Sequence, residues 1–376
     1  MKVLYVVSHA EIIGGGEYSF FDLATGCRDA GVSVAVAVPG PGAVQMELEM
    51  RGIPVHQVGM PKLKGSGLLF YRRNRRQLKN LFRAVQPDLV HVDGARAMLY
   101  AGPAAKRGGI PCCWHVRVLE RDGWIDRFRA RYADRIIANS LAVRDSLLPF
   151  AGDVPVELVY NGFPIKQMQE TSAQELATLP DGPVNAPPGP VILTAARLSP
   201  EKGHEILLQA LALLKQRGIS FTALIAGKDL NPDQSMLKKM KQVTVSLNLE
   251  ESVFFTGQLD PIAGWMKTCD ILAVPSIAEP FGRIVIEAWA SGLPIVATRA
   301  GGPAELIEHG KTGLLVHPGD SRALADALQQ LCEQPNLRKQ LRENGTIRAE
   351  LFNLSHCISR TLELYEQVTQ SATTQQ

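Results

Sequence analysis

Thirteen short runs of β-branched and aliphatic residues recur along the chain, and amphipathic stretches fill many of the gaps between them. This alternation limits the fold more than any other feature. Strand–helix–strand units cross over with a right hand, and they assemble into parallel sheets covered by helices on both faces. The expected strands of the amino-terminal half are Val3–Val7, Val32–Val38, Val55–Val58, Leu89–Val92, Pro111–Val116, Arg135–Ala138 and Val156–Val159. Helical patterns run over Glu17–Ala30 and Leu68–Val85. A Pro/Gly-rich stretch at 178–190 leaves little scope for regular structure. The alternation then restarts with strands at Val191–Ala195, Phe221–Ala226, Val253–Phe255, Ile271–Val274, Pro294–Ala297 and Leu314–Val316, and with helices over Glu205–Gln216 and Arg283–Ala290.

The expected class is therefore α/β, with two doubly wound Rossmann-like domains joined near residues 163–190. A chain of 376 residues suits two such domains better than one. Ligands of open parallel sheets bind at the carboxyl ends of the strands, so the expected site is a cleft between the domains. Charge divides unevenly: residues 1–165 hold 21 basic against 15 acidic side chains, and the remainder 19 against 22. That asymmetry points to different ligands for the two halves.

The apolar run after Met1 is too short for a secretory leader, and no window approaches the length of a membrane span. The expected location is the cytoplasm, with attachment to a membrane surface left open. Six scattered cysteines lack C-x-x-C spacing and read as free thiols in a reducing compartment, so zinc is not expected. Cys112 and Cys113 are neighbours in a strand and should face opposite sides of the sheet.

Three segments carry chemistry. Gly14-Gly15-Gly16-Glu17 follows the first strand and opens a helix, where backbone N–H groups and the helix dipole attract an anion. By itself it reads equally as a plain tight turn. Arg197 and Lys202 flank the turn between a strand and a helix, and two such cations can converge on one diphosphate. Solvated loop cations are the alternative. Glu279 and Glu287 then stand eight positions apart, one in the loop after a strand and one inside a helix that begins near Phe281-Gly282. Glu287 precedes Ala288-Trp289-Ala290, a segment that looks buried, and a buried carboxylate needs a partner.

In this order and spacing the segments resemble the retaining glycosyltransferases of the GT-B fold, in particular glycosyltransferase family 4. The resemblance spans nearly the whole chain, through Gly301-Gly302-Pro303-Ala304-Glu305 and Gly310-Lys311-Thr312-Gly313. It implies a metal-independent hexosyltransferase-like enzyme without a cofactor, taking a nucleoside-diphosphate sugar as donor and a saccharide or lipid-linked acceptor, in cell-envelope or polysaccharide synthesis. It implies that Arg197 and Lys202 bind the donor diphosphate, that Glu279 with the backbone of Phe281 and Gly282 holds the sugar, and that Ile284 is among the donor-binding residues. Glu287 would bind the ribose, and Gly15 and Gly16 would face the phosphates. His115, at a strand end, resembles an active-site histidine of the family; a lone His there is otherwise structural. The implied domains are 1–165, joined by a helix over about 353–376, and 166–352. Glu305 stays open between helix capping and contact with the donor region. Asn161-Gly162-Phe163-Pro164 and Gly227-Lys228-Asp229 depart from the family pattern and leave the donor's identity open.

No Asp-x-Asp pair occurs, which favours charge neutralisation by cations and helix termini over a held metal. The two glutamates are taken up by hydroxyl binding, so front-face transfer is expected instead of double displacement. Residues 61–87 carry Lys62, Lys64, Arg72, Arg73, Arg75, Arg76, Lys79 and Arg83 without an acidic residue. This segment is either a domain helix with a solvated basic face or a dock for anionic lipid or a phosphorylated carrier; it is poor in stacking aromatics and carries no nucleic-acid recognition motif. A dinucleotide-dependent oxidoreductase would need a complete glycine fingerprint, which is missing. A sugar-nucleotide epimerase or a non-catalytic nucleotide-sugar-binding protein on the same fold are the remaining rivals.

Overall fold

The computed structural model describes residues 1–62, 67–178 and 188–374. Most of the Pro/Gly-rich stretch at 178–190, and Lys64 of the basic segment, lie outside the described residues. The chain divides into two compact units, Met1–Phe163 with Asn353–Gln376, and Pro164–Phe352.

The first unit begins β1 (Lys2–Val7), α1 (Gly15–Asp29), β2 (Ser33–Val38), α2 (Ala43–Met50), β3 (Val55–Gln57) and α3 (Gly67–Val85). It continues β4 (Leu89–Asp93), α4 (Ala95–Gly108), β5 (Cys112–Val116), α5 (Trp124–Ala130), β6 (Arg135–Ala138), α6 (Leu141–Ala151) and β7 (Val156–Leu158). In the second unit α7 (Ile165–Glu170), β8 (Val191–Ala195), α8 (His204–Gln216), β9 (Thr222–Ala226), α9 (Ser235–Ser246), β10 (Val253–Gly257) and α10 (Ile262–Met266) come first. There follow β11 (Ile271–Val274), α11 (Arg283–Ala290), β12 (Ile295–Thr298), α12 (Gly302–Leu306), β13 (Leu314–Val316), α13 (Ser321–Glu333) and α14 (Pro335–Ala349). The last helix, α15 (Leu354–Thr374), belongs to the first unit and packs on α1.

Each unit is one wholly parallel sheet, ordered β3-β2-β1-β4-β5-β6-β7 in the first and β10-β9-β8-β11-β12-β13 in the second. Two doubly wound α/β domains, the GT-B pair of Rossmann-like sheets, are thus present. All thirteen expected strands form, with edges shifted by no more than two residues. Pro111 and Pro294 fall just outside their strands, because proline has no N–H to give to a ladder.

The central strands are buried on both faces, which is why they read as continuous apolar runs instead of alternating ones, while β3, β7 and β10 at the sheet edges are only partly buried. Neighbouring residues of β5 show the pleat: Cys112 and Trp114 pack into one core, and Cys113 into the other with Tyr5, Leu364 and Tyr365. Helix α15 therefore closes one face of the first sheet. Gly26 of α1 admits this packing, since a Cβ there would meet Ile358 at 2.2 Å.

Candidate functional site

In the second sheet the strand order reverses between β8 and β11, and a crevice opens at such a point outside the carboxyl ends of the strands. Arg197 and Lys202 follow β8, and Glu279 follows β11. Arg197 lies two residues beyond its strand, and a short 3₁₀ turn at Pro200–Lys202 precedes α8. The Lys202 Nζ donates to Glu279 Oε2 at 2.6 Å, and each side chain is only 14% exposed. Arg197 is half-exposed and pairs with Glu201 at 3.3 Å, whose other contact is the Ser199 hydroxyl at 2.6 Å.

The loops after β8, β11 and β12 are tied by backbone. Ile277 N–H donates to Glu201 O, and Gly302 N–H donates to Glu279 O at 2.9 Å. Glycine is required at 301 and 302. Gly301 has φ +59°, and a Cβ on Gly302 would sit 1.9 Å from Phe281 O. These close approaches hold the Glu279–Gly282 segment against the start of α12.

Gly282 caps α11, as expected, and Phe281 is buried against Phe352. Glu287 is largely buried, and the partner its burial demands is Arg283, one turn earlier, at 3.2 Å. Arg283 was not singled out from the sequence, although a basic residue four before a glutamate is a readable signal. Ile284 is half-buried on the same helix.

In the first sheet the reversal lies between β1 and β4. Gly15 and Gly16 are exposed at the start of α1, but the Gly14 N–H is taken by Glu17 Oε2 at 3.0 Å, so that amide serves the helix's own cap. Burial raises the Glu17 carboxyl above its ordinary range. Gly16 lies beside Arg117, whose Cδ would be 3.8 Å from an added Cβ.

Arg117 introduces a cluster that sequence reasoning reached only through His115. Arg117 Nε donates to Asp93 Oδ2 at 2.8 Å, Nη1 donates to Asn161 Oδ1, and Nη2 lies 3.3 Å from His115 Nδ1. His115 is 2% exposed, and its Nδ1 is 3.2 Å from His91 Nε2. Burial, Arg117 and His91 together hold His115 well below its ordinary pKa; burial and Arg117 bring His91 down to about 3. Both rings are therefore neutral at neutral pH. Ligand-capable atoms of His91, Asp93 and His115 all lie within 4.8 Å of one another. That proximity does not make a cation site, because the Arg117 guanidinium already balances the Asp93 charge and the two rings bond each other.

The basic segment forms α3, with Leu78 and Phe82 buried. Arg72, Arg73 and Arg76 are exposed, whereas Arg75 stacks over Tyr71 at 5.2 Å. Among the described residues no helix is long and apolar enough to cross a membrane.

Residues 13–167 match the family model Glycosyltransferase Family 4, and residues 181–348 match Glycosyl transferases group 1. A D-inositol 3-phosphate glycosyltransferase of Pseudarthrobacter chlorophenolicus is 34% identical over 46% of this chain and 42% of its own. The corresponding protein of Corynebacterium kroppenstedtii is 30% identical over 62% of this chain and 53% of its own. The chain spans about half the length of the curated relatives it matches. Among solved structures, Anabaena HepE in complex with UDP-glucose superposes with a TM-score of 0.84 at 28% identity, covering 98% of this chain and 100% of that one.

Proposed function

We propose that this chain, whose residues 13–167 match a family 4 glycosyltransferase model and residues 181–348 a group 1 model, transfers a sugar from a nucleoside-diphosphate carrier to a saccharide or lipid-linked acceptor, with retention of anomeric configuration. The observation that carries this reading is the meeting of Lys202 and Glu279 at the reversal point of the second sheet. A largely buried cation beside a largely buried carboxylate suits a ligand with a phosphate at one end and sugar hydroxyls at the other.

In this reading Lys202 and Arg197 neutralise the departing diphosphate, and Glu279 with the backbone of Phe281 and Gly282 holds the sugar, Ile284 lying beside them. Glu287, oriented by Arg283, takes the ribose diol. The C1–phosphate bond breaks as the bond from C1 to the acceptor oxygen forms on the same face, and the acceptor's proton passes to the leaving phosphate oxygen. No carboxylate nucleophile is used, and the charge that builds on the diphosphate is met by the two cations and helix termini without a metal. His115 donates to a substrate oxygen. The Anabaena neighbour holds UDP-glucose, which puts uridine nucleotides first among the donors to test. The exposed arginines of α3 serve the acceptor side, docking a phosphorylated carrier or anionic lipid surface in envelope or polysaccharide synthesis.

Thermal stabilisation by a panel of nucleotides and nucleotide-sugars tests the donor assignment. A shift with one nucleoside diphosphate, weakened in Glu287→Ala, supports it; a shift with NAD alone refutes it.

A further inference from the structure

Four buried side chains of the first unit form one hydrogen-bonded chain. Tyr5 Oη lies 3.0 Å from Tyr365 Oη, Tyr365 Oη lies 2.7 Å from His91 Nδ1, and His91 Nε2 lies 3.2 Å from His115 Nδ1. Tyr5, His91 and Tyr365 are fully buried. Hydroxyls and neutral imidazoles each donate or accept, so these three contacts alone admit two proton arrangements running in opposite directions.

Arg117 removes that degeneracy. A guanidinium only donates, and Nη2 is directed at His115 Nδ1 while Asp93 and Asn161 hold the other nitrogens in place. His115 Nδ1 must then accept, its one lone pair shared between the N–H groups of Arg117 and His91, and the single proton of the ring sits on Nε2. His91 consequently donates from Nε2 and accepts at Nδ1 from the Tyr365 hydroxyl, which in turn accepts from Tyr5. In the opposite arrangement an N–H of His115 would face an N–H of Arg117. The end of the chain is His115 Nε2, a buried atom without a hydrogen-bond partner among the described residues. A buried donor left unsatisfied is costly and calls for a ligand.

We infer that Arg117, acting through Nδ1, fixes the tautomer of His115 so that Nε2–H is offered to an acceptor oxygen of the substrate, with His91 and Tyr365 as further positioning residues. This deepens the proposed function and rests on it for the substrate alone; the tautomer follows from the contacts. His115 works as a neutral donor, consistent with the depressed pKa that burial and Arg117 impose. It does not exchange protons in the reaction.

The test is a long-range proton–nitrogen correlation spectrum of protein labelled with nitrogen-15 in its eight histidines, at neutral pH and without substrate. Loss of peaks in His115→Gln and His91→Gln assigns the two rings. The expected spectrum has a protonated Nε2 and an unprotonated Nδ1 on both. In Arg117→Met the His115 pattern should shift toward a mixture of tautomers, and Arg117→Lys, still a pure donor, should restore part of it. Should Arg117→Met fail to fold, Tyr365→Phe serves: it removes the donor to His91 Nδ1 and should displace that nitrogen's signal. A protonated Nδ1 on His115 in the unaltered protein overturns the inference. So does stoichiometric zinc moving both rings, which would make the cluster a metal site. The expected spectrum in a protein that responds to no nucleotide-sugar supports the tautomer and refutes the transferase reading instead.

Discussion

Deleting Lys202 separates a structural ion pair from a ligand clamp, because the two roles predict different behaviour in stability and in rate. At 2.6 Å, the gross attraction between Lys202 and Glu279 is about 6 kcal/mol for an effective dielectric of about 20. Desolvation of both groups offsets most of it. Lys202→Ala leaves the Glu279 carboxylate mostly buried without its cation. Full burial would cost about 3–5 kcal/mol; since each partner keeps 14% exposure, about 2 kcal/mol is expected, or a Tm about 4–8 °C lower. Removing Glu279 as well should recover about 1 kcal/mol, because the orphaned charge is gone. Rate should behave otherwise. Losing one cation from the leaving diphosphate costs about 3 kcal/mol in the transition state, about 100-fold in kcat, and the double variant should recover none of it. Thermal denaturation and steady-state transfer from a nucleotide-sugar read the two quantities on the unaltered protein, the two single variants Lys202→Ala and Glu279→Ala, and the double variant. Recovery of both stability and rate in the double variant would refute the clamp and leave only a structural pair.

Arg197→Ala provides the contrast. Its pair with Glu201 is long and half-exposed, so stability should change by less than about 1 kcal/mol, while kcat falls about 100-fold; a matching loss of Tm would contradict this. His204, the first residue of α8, is 3% exposed with neither ring nitrogen partnered among the described residues, and burial with nearby Lys202 lowers its pKa to about 4. A depressed histidine pKa stabilises the fold above the unfolded value of about 6.5, and that stability is lost as pH falls toward 4, at about 1.4 kcal/mol per unit. Denaturant titrations at neutral and acid pH should therefore show a shallower acid loss for His204→Leu than for the unaltered protein; parallel curves would exclude the effect. Substituting Arg72, Arg73 and Arg76 by Gln, and leaving Arg75 on its Tyr71 ring, should abolish sedimentation with anionic vesicles. Absence of binding by the unaltered chain would remove the membrane role.

The strand positions were legible because a β-branched run bounded by turn residues is a local signal, and parallel strands buried on both faces leave it uninterrupted. The glutamate pair and its flanking glycines were legible for a related reason. Strand, loop and helix start follow one another directly, so spacing in sequence maps onto spacing at the sheet's edge. Even Arg283 beneath Glu287 stands one helical turn away and was within reach of the sequence.

Tertiary structure alone decided the partners that arrive from elsewhere in the chain. Lys202 and Glu279 are 77 residues apart, His91 and His115 are 24 apart on neighbouring strands, and Tyr365 reaches His91 across 274 residues from the final helix. No periodicity in the sequence marks such a meeting, because the sheet order and the packing of α15 on the first sheet create it. The sequence by itself determined a two-sheet α/β chain and the residue types at its strand ends. Which of those residues hold one another, and therefore which nitrogen of His115 carries the proton, was decided by packing, since a tautomer depends on what surrounds the ring and not on where it stands in the chain.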